Sequence, residues 1–522
     1  MKINKLIISF VILFFIFNYS FVFSESIKPY ERKIITTIDP GYKLKFLESN
    51  VDGSVVFMVL EDGNKEYYYL IEGVNKKLIF TREKNLSSAK LLEDLLIPLG
   101  ENSPLSFFSP LKKHYGYMIV DFKGNSKVVI DGVDLGKFEY VPSINMITTP
   151  DDKHYIFAGI RNSKINVYID GKPVLNGEEE FQKNLSFGAI NEIQISPSGN
   201  KFIVIGWDYA LNKYVLISND GIINEKDIIG YAGFLNDESI YYVYANNNDY
   251  QFKLVIKGKE INLECYNVSD LMVLNENEFV YECKKFDANE KPNYYLIFKE
   301  NKFGPYDQIS PPIFSKIYSI RPFNKAENLY YKTLMDYVLD SNKQNIAFIT
   351  SKDNNKVYLL KNGKIIKALK PDETIVYLGF VENQLVYVIL DEKIKKHSLW
   401  IENNLKLKNK LIGPLTIYKD KNIIVYPVKL NNNKSVIYVN HKPYSNSYDG
   451  ILDVILSPDG KNIISFAIKN KKECIVINKK EYCQYDMIGN IVNPFSFTED
   501  GEYFTTVGTI KNNVYFDKWR LY

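Results

Sequence analysis

The stretch SPDGKNIISFAIKNKKECIVINKKEYCQYDMI, from Ser457 to Ile488, decides the fold. Ser-Pro-Asp-Gly is a tight turn, because Pro458 presets φ and Gly460 accepts a positive one. The run IISFAI is apolar at consecutive positions, which suits a strand covered on both faces. Asn478 and Lys479 then read as a two-residue turn between two further strands. An opening turn, a strand and a hairpin, repeated, give about four short antiparallel strands in roughly 40 residues.

The same grammar recurs in both directions. Openings of this type stand at Ser109 (SPLKKHYGYMIV), Thr149 (TPDDKHYIFAGI), Ser196 (SPSGNKFIVIGW), Asp340 (DSNKQNIAFIT) and Thr498 (TEDGEYFTTVGT). Hairpin segments such as NVYIDGKPVLNG, KLVIKGKEINL and KVYLLKNGKIIKAL lie between them. Weaker copies begin near Asp52, Leu235, Asn275, Val381 and Asp420. A module with two oily faces has to be sandwiched between its neighbours, and radial closure leaves few open edges. The fold class expected is therefore all-β, a β-propeller of about ten or eleven four-stranded repeats. A β-sandwich would show clean in-out alternation without such a period. Scarce alanine, with 40 Tyr and 32 Phe, argues against a helical solenoid.

The S-P-D-G-K opening at Ser457 to Lys461, and the pairs Tyr306-Asp307, Tyr448-Asp449 and Tyr485-Asp486, resemble the WD-like propeller repeats of the TolB type. The likeness covers nearly the whole chain after the first residues. The resemblance implies a propeller that serves either as a partner-binding protein or as the propeller part of a prolyl-oligopeptidase-like enzyme. The chain departs from both patterns, with no α/β domain before the repeats and no hydrolase domain after them.

About eleven units exceed the usual ~4 to 8 blades of one ring. Two rings are expected, with one large ring as the alternative. The domain reading is a signal peptide at 1–24, a first set of blades at 25–315, an irregular junction at 316–335 and a second set at 336–522. Leu329, Leu334 and Val338 could form a short helix near that junction. The last unit supplies about two strands, and ERKIITTI and YKLKFLES near the start are expected to complete it.

The first residues, MKINKLIISFVILFFIFNYSFVFSES, have a basic start and an apolar run from Leu6 to Phe17. That is secretory-signal grammar, with cleavage expected after Ser24. An exported protein follows, periplasmic or secreted, with anchoring by an uncleaved N-terminal segment as the alternative. No membrane insertion is expected once the signal is removed. Four cysteines fit an oxidising compartment. Cys474 and Cys483 should lie opposite each other across the Asn478-Lys479 turn, and Cys265 and Cys283, in consecutive units, could form a second bridge. Four buried free thiols remain the alternative.

Among 522 residues, 65 Lys and Arg against 62 Asp and Glu give +3, so bulk charge recruits neither nucleic acid nor an anionic membrane. His114, His154, His397 and His441 are too scattered for a metal site of the usual spacing. No H-E-x-x-H, G-x-S-x-G or P-loop motif occurs, and the turns do not match sialidase boxes. Asp151, Asp152, Asp340, Asn342, Asp459 and Asp500 recur once per unit, as turn-capping residues do and a catalytic pair does not. Trp207, Asp208 and Trp400 could line a sugar groove but read better as packing. Lys406, Lys408 and Lys410 read as one face of an outer edge strand guarded against pairing. No catalytic, metal or cofactor residue is singled out, and no cofactor is expected. The function expected is a non-catalytic propeller binding a protein or cell-envelope partner through its loop face. The alternative is a carbohydrate-active enzyme, glycosidase or lyase, with its site at the propeller centre.

Overall fold

A computed structural model of the chain describes residues 27–521, except 84–94, 99–106, 110, 122, 143–145, 247–250, 310–317, 320, 323–336, 353–355, 414, 419–421, 490–495 and 499. The leader at 1–24, with its cleavage point at Ser24, lies outside the described residues, as does all but four residues of the 316–335 junction.

Around Ser457 the strands Gly450–Leu456, Ile463–Lys469, Lys472–Ile477 and Lys480–Tyr485 pair antiparallel in chain order. Asn478 and Lys479 take φ of 46° and 76°, the two-residue turn whose twist matches its flanking strands. The pairs Ile475–Tyr482, Val476–Glu481 and Ile477–Lys480 keep the register that this turn dictates. Among the described residues eleven such units follow one another, seven as separate four-stranded sheets, two with a fifth short strand and two within one ten-stranded sheet. The eighth and ninth are fused, because Leu411 and Ile412, at the end of the eighth unit's fourth strand Asn404–Ile412, pair on into Ile423–Lys429 of the ninth. First strands of consecutive units approach one another, and the Thr416 hydroxyl donates to the Val454 carbonyl at 2.8 Å. That convergence is the geometry of blades about an axis, and the molecule is a β-propeller.

Each unit buries its faces against the next. Phe57 of the first unit stacks on Phe107 of the second at 4.1 Å. Val280 and Leu296 of the sixth meet Ile346 and Phe348 of the seventh, so packing continues past the 316–335 junction. Val507 and Val514 of the eleventh meet Leu47 and Val56 of the first. Every consecutive pair shares such a cluster. Each fully buried aliphatic or aromatic side chain contributes about 1.5–3 kcal/mol.

Two expectations change. Only Glu31–Thr37 completes the last unit, pairing with Asn513–Arg520. Lys43–Ser49 is instead the first strand of the first unit, paired with Val55–Asp62. The reason lies in the side chains: no residue of Glu31–Thr37 is fully buried, as suits an outer edge, whereas Leu47, Glu48 and Ser49 are. Val338 sits in the strand Tyr337–Leu339, paired with Ile346–Lys352, not in a helix, while Leu329 and Leu334 lie outside the described residues. Cys265 stands in the connector between the fifth unit's Lys259–Asn262 and the sixth unit's Asn267–Val273, and Cys283 in the sixth unit's Phe279–Phe286. No described helix is long and apolar enough to cross a membrane.

Candidate functional site

The opening turns are built alike. The Ser457 hydroxyl accepts from the Asn462 N–H at 2.9 Å, and Ser109, Ser196 and Thr498 do the same for the residue five further on. Another cap comes from the turn between third and fourth strands: Asn478, Asn362 and Asn440 each take the N–H that starts the second strand, at 2.9 Å. Asp131 and Asp170 hold the same place for Tyr115 and Tyr155. Of the acidic turn residues, Asp151, Asp152, Asp340, Asp459 and Asp500 each accept from backbone N–H groups, as their recurrence suggested, whereas Asn342 accepts only through its own carbonyl.

Units two and three depart from the pattern at one position. The seventh unit places the exposed Lys343 (φ 54°) where other openings place Gly199, Gly460 or Gly501 at positive φ, and units two and three place Lys112 (φ 58°) and Asp152 (φ 55°) there. Left-handed backbone costs about 1–2 kcal/mol per non-glycine residue, and the Lys112 and Asp152 side chains are buried. Each reaches back to the preceding unit. The Lys112 ammonium lies 4.0 Å from the buried Glu48 carboxylate of the first unit, which also accepts from the Phe107 N–H at 3.1 Å. Asp152 Oδ2 accepts from the Ser109 hydroxyl (2.5 Å), the Leu111 N–H (3.1 Å) and the Lys113 N–H (3.2 Å). Beside it, His114 Nδ1 donates to Asp131 at 2.8 Å.

Burial pushes the Lys112 ammonium below the ordinary lysine range, against the pull of Glu48. Burial likewise raises the Asp152 carboxyl, against the donors from Ser109 and the turn. His114 is opposed by burial, yet the bond and charge of Asp131 raise it overall. Displaced titrating groups of this kind can mark acid-base chemistry. Here Lys112 and Asp152 serve contacts between consecutive units, and His114, bonded to Asp131 of its own unit, sets its ring against Tyr155 of the next, centroids 5.1 Å apart.

The Tyr-Asp pairs also land in equivalent places, at the step from a fourth strand to the next unit. The N–H of Asp307, Asp449 and Asp486 donates to the carbonyl of Ser351, Ile468 and Thr509, each in the second strand of the following unit. The Asp449 carboxylate accepts from the Asn470 N–H at 2.8 Å and from Lys434 of the preceding unit, and Asp486 spans Lys472 and the Lys511 N–H in the same way. At the closing strand, Arg32 grips the fully buried Asp517 with two nitrogens, at 2.7 and 2.6 Å, and Tyr485 donates to the same carboxylate.

The opposite tendency appears where the chain enters the sixth unit. Tyr266 is 48% exposed and Phe286 43% exposed, their rings edge-to-face with centroids 4.7 Å apart. Tyr266 follows Cys265, which is bonded to Cys283 in the strand Phe279–Phe286, Cα to Cα 5.5 Å. The Tyr266 N–H donates to the Lys284 carbonyl at 2.9 Å, and the Lys284 ammonium sits 5.0 Å from the Phe286 ring centroid. Tyr209, 67% exposed, lies in the corresponding hairpin of the fourth unit, on the same face. Sequence reasoning missed Tyr266 and Phe286. The available signal was two large aromatics flanking a bridged cysteine pair at strand ends.

The other bridge is Cys474–Cys483, Cα to Cα 4.0 Å, beside a register shift between Glu473 and Ile475. His154 pairs with Asp170 at 2.7 Å, the Ile412 N–H donates to His397 at 2.9 Å, and His441 meets the Tyr426 hydroxyl at 3.1 Å. The four imidazoles are not brought together. Asp208 is buried under backbone donors including Leu211, Trp207 packs edge-on against Tyr214, and Trp400 stacks on Tyr387. Asn404–Ile412 is an outermost strand, as expected of an edge, but two register shifts against Lys396–Ile401 break the alternation that would put Lys406, Lys408 and Lys410 on one face. Among the described residues no group of three His, Cys, Asp or Glu side chains is placed to hold a metal.

A scan against protein-family models finds no match, and no curated protein matches. Solved structures similar in fold include the β-propeller domain of the Trilobed protease from Pyrococcus furiosus (11% identity, 55% of this chain and 88% of that one, TM-score 0.26). The Dos1 propeller (10%, 71% and 90%, 0.27) and an acylaminoacyl peptidase (12%, 61% and 56%, 0.27) are others. The propeller assignment rests on the strand pairing and closure described above.

Proposed function

We propose that the chain is an exported, non-catalytic propeller of the TolB type that binds a protein or cell-envelope partner through the face carrying the unit-to-unit connectors and the second-to-third-strand hairpins. We further take the eleven units as one circuit rather than two rings, since the last unit packs on the first and the sixth on the seventh. The observation that carries the binding reading is the Tyr266–Phe286 pair. Exposed aromatic rings supply large contact area at small entropic cost when they are already rigid, and a disulfide fixes this pair from beneath. Two bridged cysteine pairs also support export.

The test is a photo-crosslinking side chain installed at Phe286 and, separately, at Val133 on the opposite face, in cells expressing the full chain. One discrete partner captured from position 286 and not from 133, and lost in Tyr266→Ala, is expected. Equal capture at both positions, or none at 286, sinks the proposal.

A further inference from the structure

We propose that the Cys474–Cys483 bridge is a redox latch on the ring: while it is closed the tenth unit holds the N-terminal strand Glu31–Thr37 in place, and its reduction by a dithiol frees that strand. The device is independent of the partner-binding reading.

The strand that completes the circle is held unevenly. No residue of Glu31–Thr37 is fully buried, and its ladder with Asn513–Arg520 slips between Ile34 and Thr36. Its ionic anchor is Arg32, and part of that anchor belongs to the tenth unit. The guanidinium that grips Asp517 also donates to the Tyr482 hydroxyl at 2.8 Å, and it lies 5.2 Å from the Tyr482 ring centroid and 5.9 Å from that of Tyr485. The residues leading in lean on the same place, since the Ile27 N–H donates to the Glu481 carbonyl at 3.2 Å. Glu481, Tyr482 and Tyr485 all stand with Cys483 on Lys480–Tyr485, the tenth unit's outermost strand.

On that strand the bridge stands where the ladder is interrupted. Glu473 pairs with Tyr485 and Ile475 with Tyr482, so Cys474 faces two residues, Cys483 and Gln484. A bulge of this kind leaves the extra residue unpaired and bends its strand. The covalent bond therefore ties the outer strand down between the two tyrosines that flank Arg32.

The two bridges also differ in access. Cys265 and Cys283 are 3% and 1% exposed, whereas Cys483 keeps part of its surface in water above the buried Cys474. A thiolate of the dithiol attacks the Cys483 sulfur, the S–S bond breaks, and Cys474 leaves as a thiolate that takes up a proton. The second thiol then attacks the reductant's own sulfur in the mixed disulfide and displaces Cys483, which is protonated in turn. Two electrons and two protons pass to the protein, and the reductant leaves as its disulfide.

The experiment incubates the full chain with dithiothreitol, follows each cysteine pair by alkylation and mass spectrometry, and reads hydrogen exchange along the chain. Cys474 and Cys483 should be alkylated at least about tenfold faster than Cys265 and Cys283. Exchange in Glu31–Thr37 should then rise at least about tenfold while Val55–Asp62 and Lys65–Glu72 of the first unit stay protected. Cys474→Ser/Cys483→Ser should exchange fast in Glu31–Thr37 without reductant, whereas Cys265→Ser/Cys283→Ser should keep that strand protected until reductant is added. Reduction of Cys265–Cys283 first or at the same rate, a Glu31–Thr37 still protected after Cys474–Cys483 is reduced, or loss of protection throughout the first unit overturns the proposal. Should the serine variant fail to fold, the wild-type arm decides alone, because it starts from the folded, bridged chain.

Discussion

Around the opening turns of units two and three, Glu48, Lys112, His114 and Asp152 are withdrawn from water and each is answered by a neighbour. At the connector into unit six, Tyr266 and Phe286 are left partly in water beside the Cys265–Cys283 disulfide. The charged cluster has the residue types of chemistry and acts as framework; the aromatic pair has the residue types of core and lies at the surface. In a repeat fold every unit must fasten to the next, so charged residues at recurring turn positions are drawn into that task. On the proposed binding reading, recognition falls to residues that break the burial pattern.

The largest effect should come from cutting the charged cluster. Asp152→Ala leaves the Ser109 hydroxyl and the Leu111 and Lys113 N–H groups without their acceptor. A buried donor left unpaired costs about 1–3 kcal/mol and the two half-buried N–H groups less, so a loss of about 3–5 kcal/mol is expected. A urea midpoint equal to wild type would show that the seam does not depend on this carboxylate. Next comes the brace beneath the aromatic pair: Cys265→Ser/Cys283→Ser should cost about 2–4 kcal/mol. It should also broaden the Tyr266 and Phe286 resonances while far-ultraviolet circular dichroism keeps its strand signal. Sharp, unshifted ring signals would mean the bridge is not what fixes the pair.

Much of this architecture was legible. The Ser-Pro-Asp-Gly turn, the Asn478-Lys479 turn and the Cys474–Cys483 bridge all act within one unit, where local spacing fixes geometry. What spans units was not. Glu48 and Lys112 are distant in sequence, and nothing at either end names the other. The choice between Glu31–Thr37 and Lys43–Ser49 as closing strand depended on which could remain uncovered, a property of the assembled ring. Tyr266 and Phe286 read like any strand-end aromatics, because hydrophobicity alone does not tell a covered ring from an open one.

A smaller effect separates the regions by pH. The folded-state value of His114 is raised above 6.5, so its contribution is complete below 6.5 and fades as pH climbs through the folded value. Asp152, raised above 3.8, acts in the same sense in a more acidic window, whereas Lys112, lowered, contributes at high pH and loses that contribution as pH falls through its folded value. Comparing wild type with His114→Gln between pH about 5.5 and about 8.5 isolates the His114 part. Wild type should therefore exceed His114→Gln in thermal midpoint by more at the acidic end. A constant gap across that range would assign the His114–Asp131 contact no ionic character.

The smallest stability effect should come from Phe286→Ala, and its smallness is the point. A ring that already meets water on much of its surface surrenders little burial when removed, and surface changes of this kind stay within about 1 kcal/mol. Its edge-to-face contact with Tyr266 adds about 0.5–1.5 kcal/mol at most. On the proposed reading, a fold that gains so little from two large exposed aromatics beside a covalent bridge keeps them for contact with a partner. An unfolding midpoint for Phe286→Ala depressed as far as that of Asp152→Ala would make the pair core after all, and the contrast between the regions would disappear.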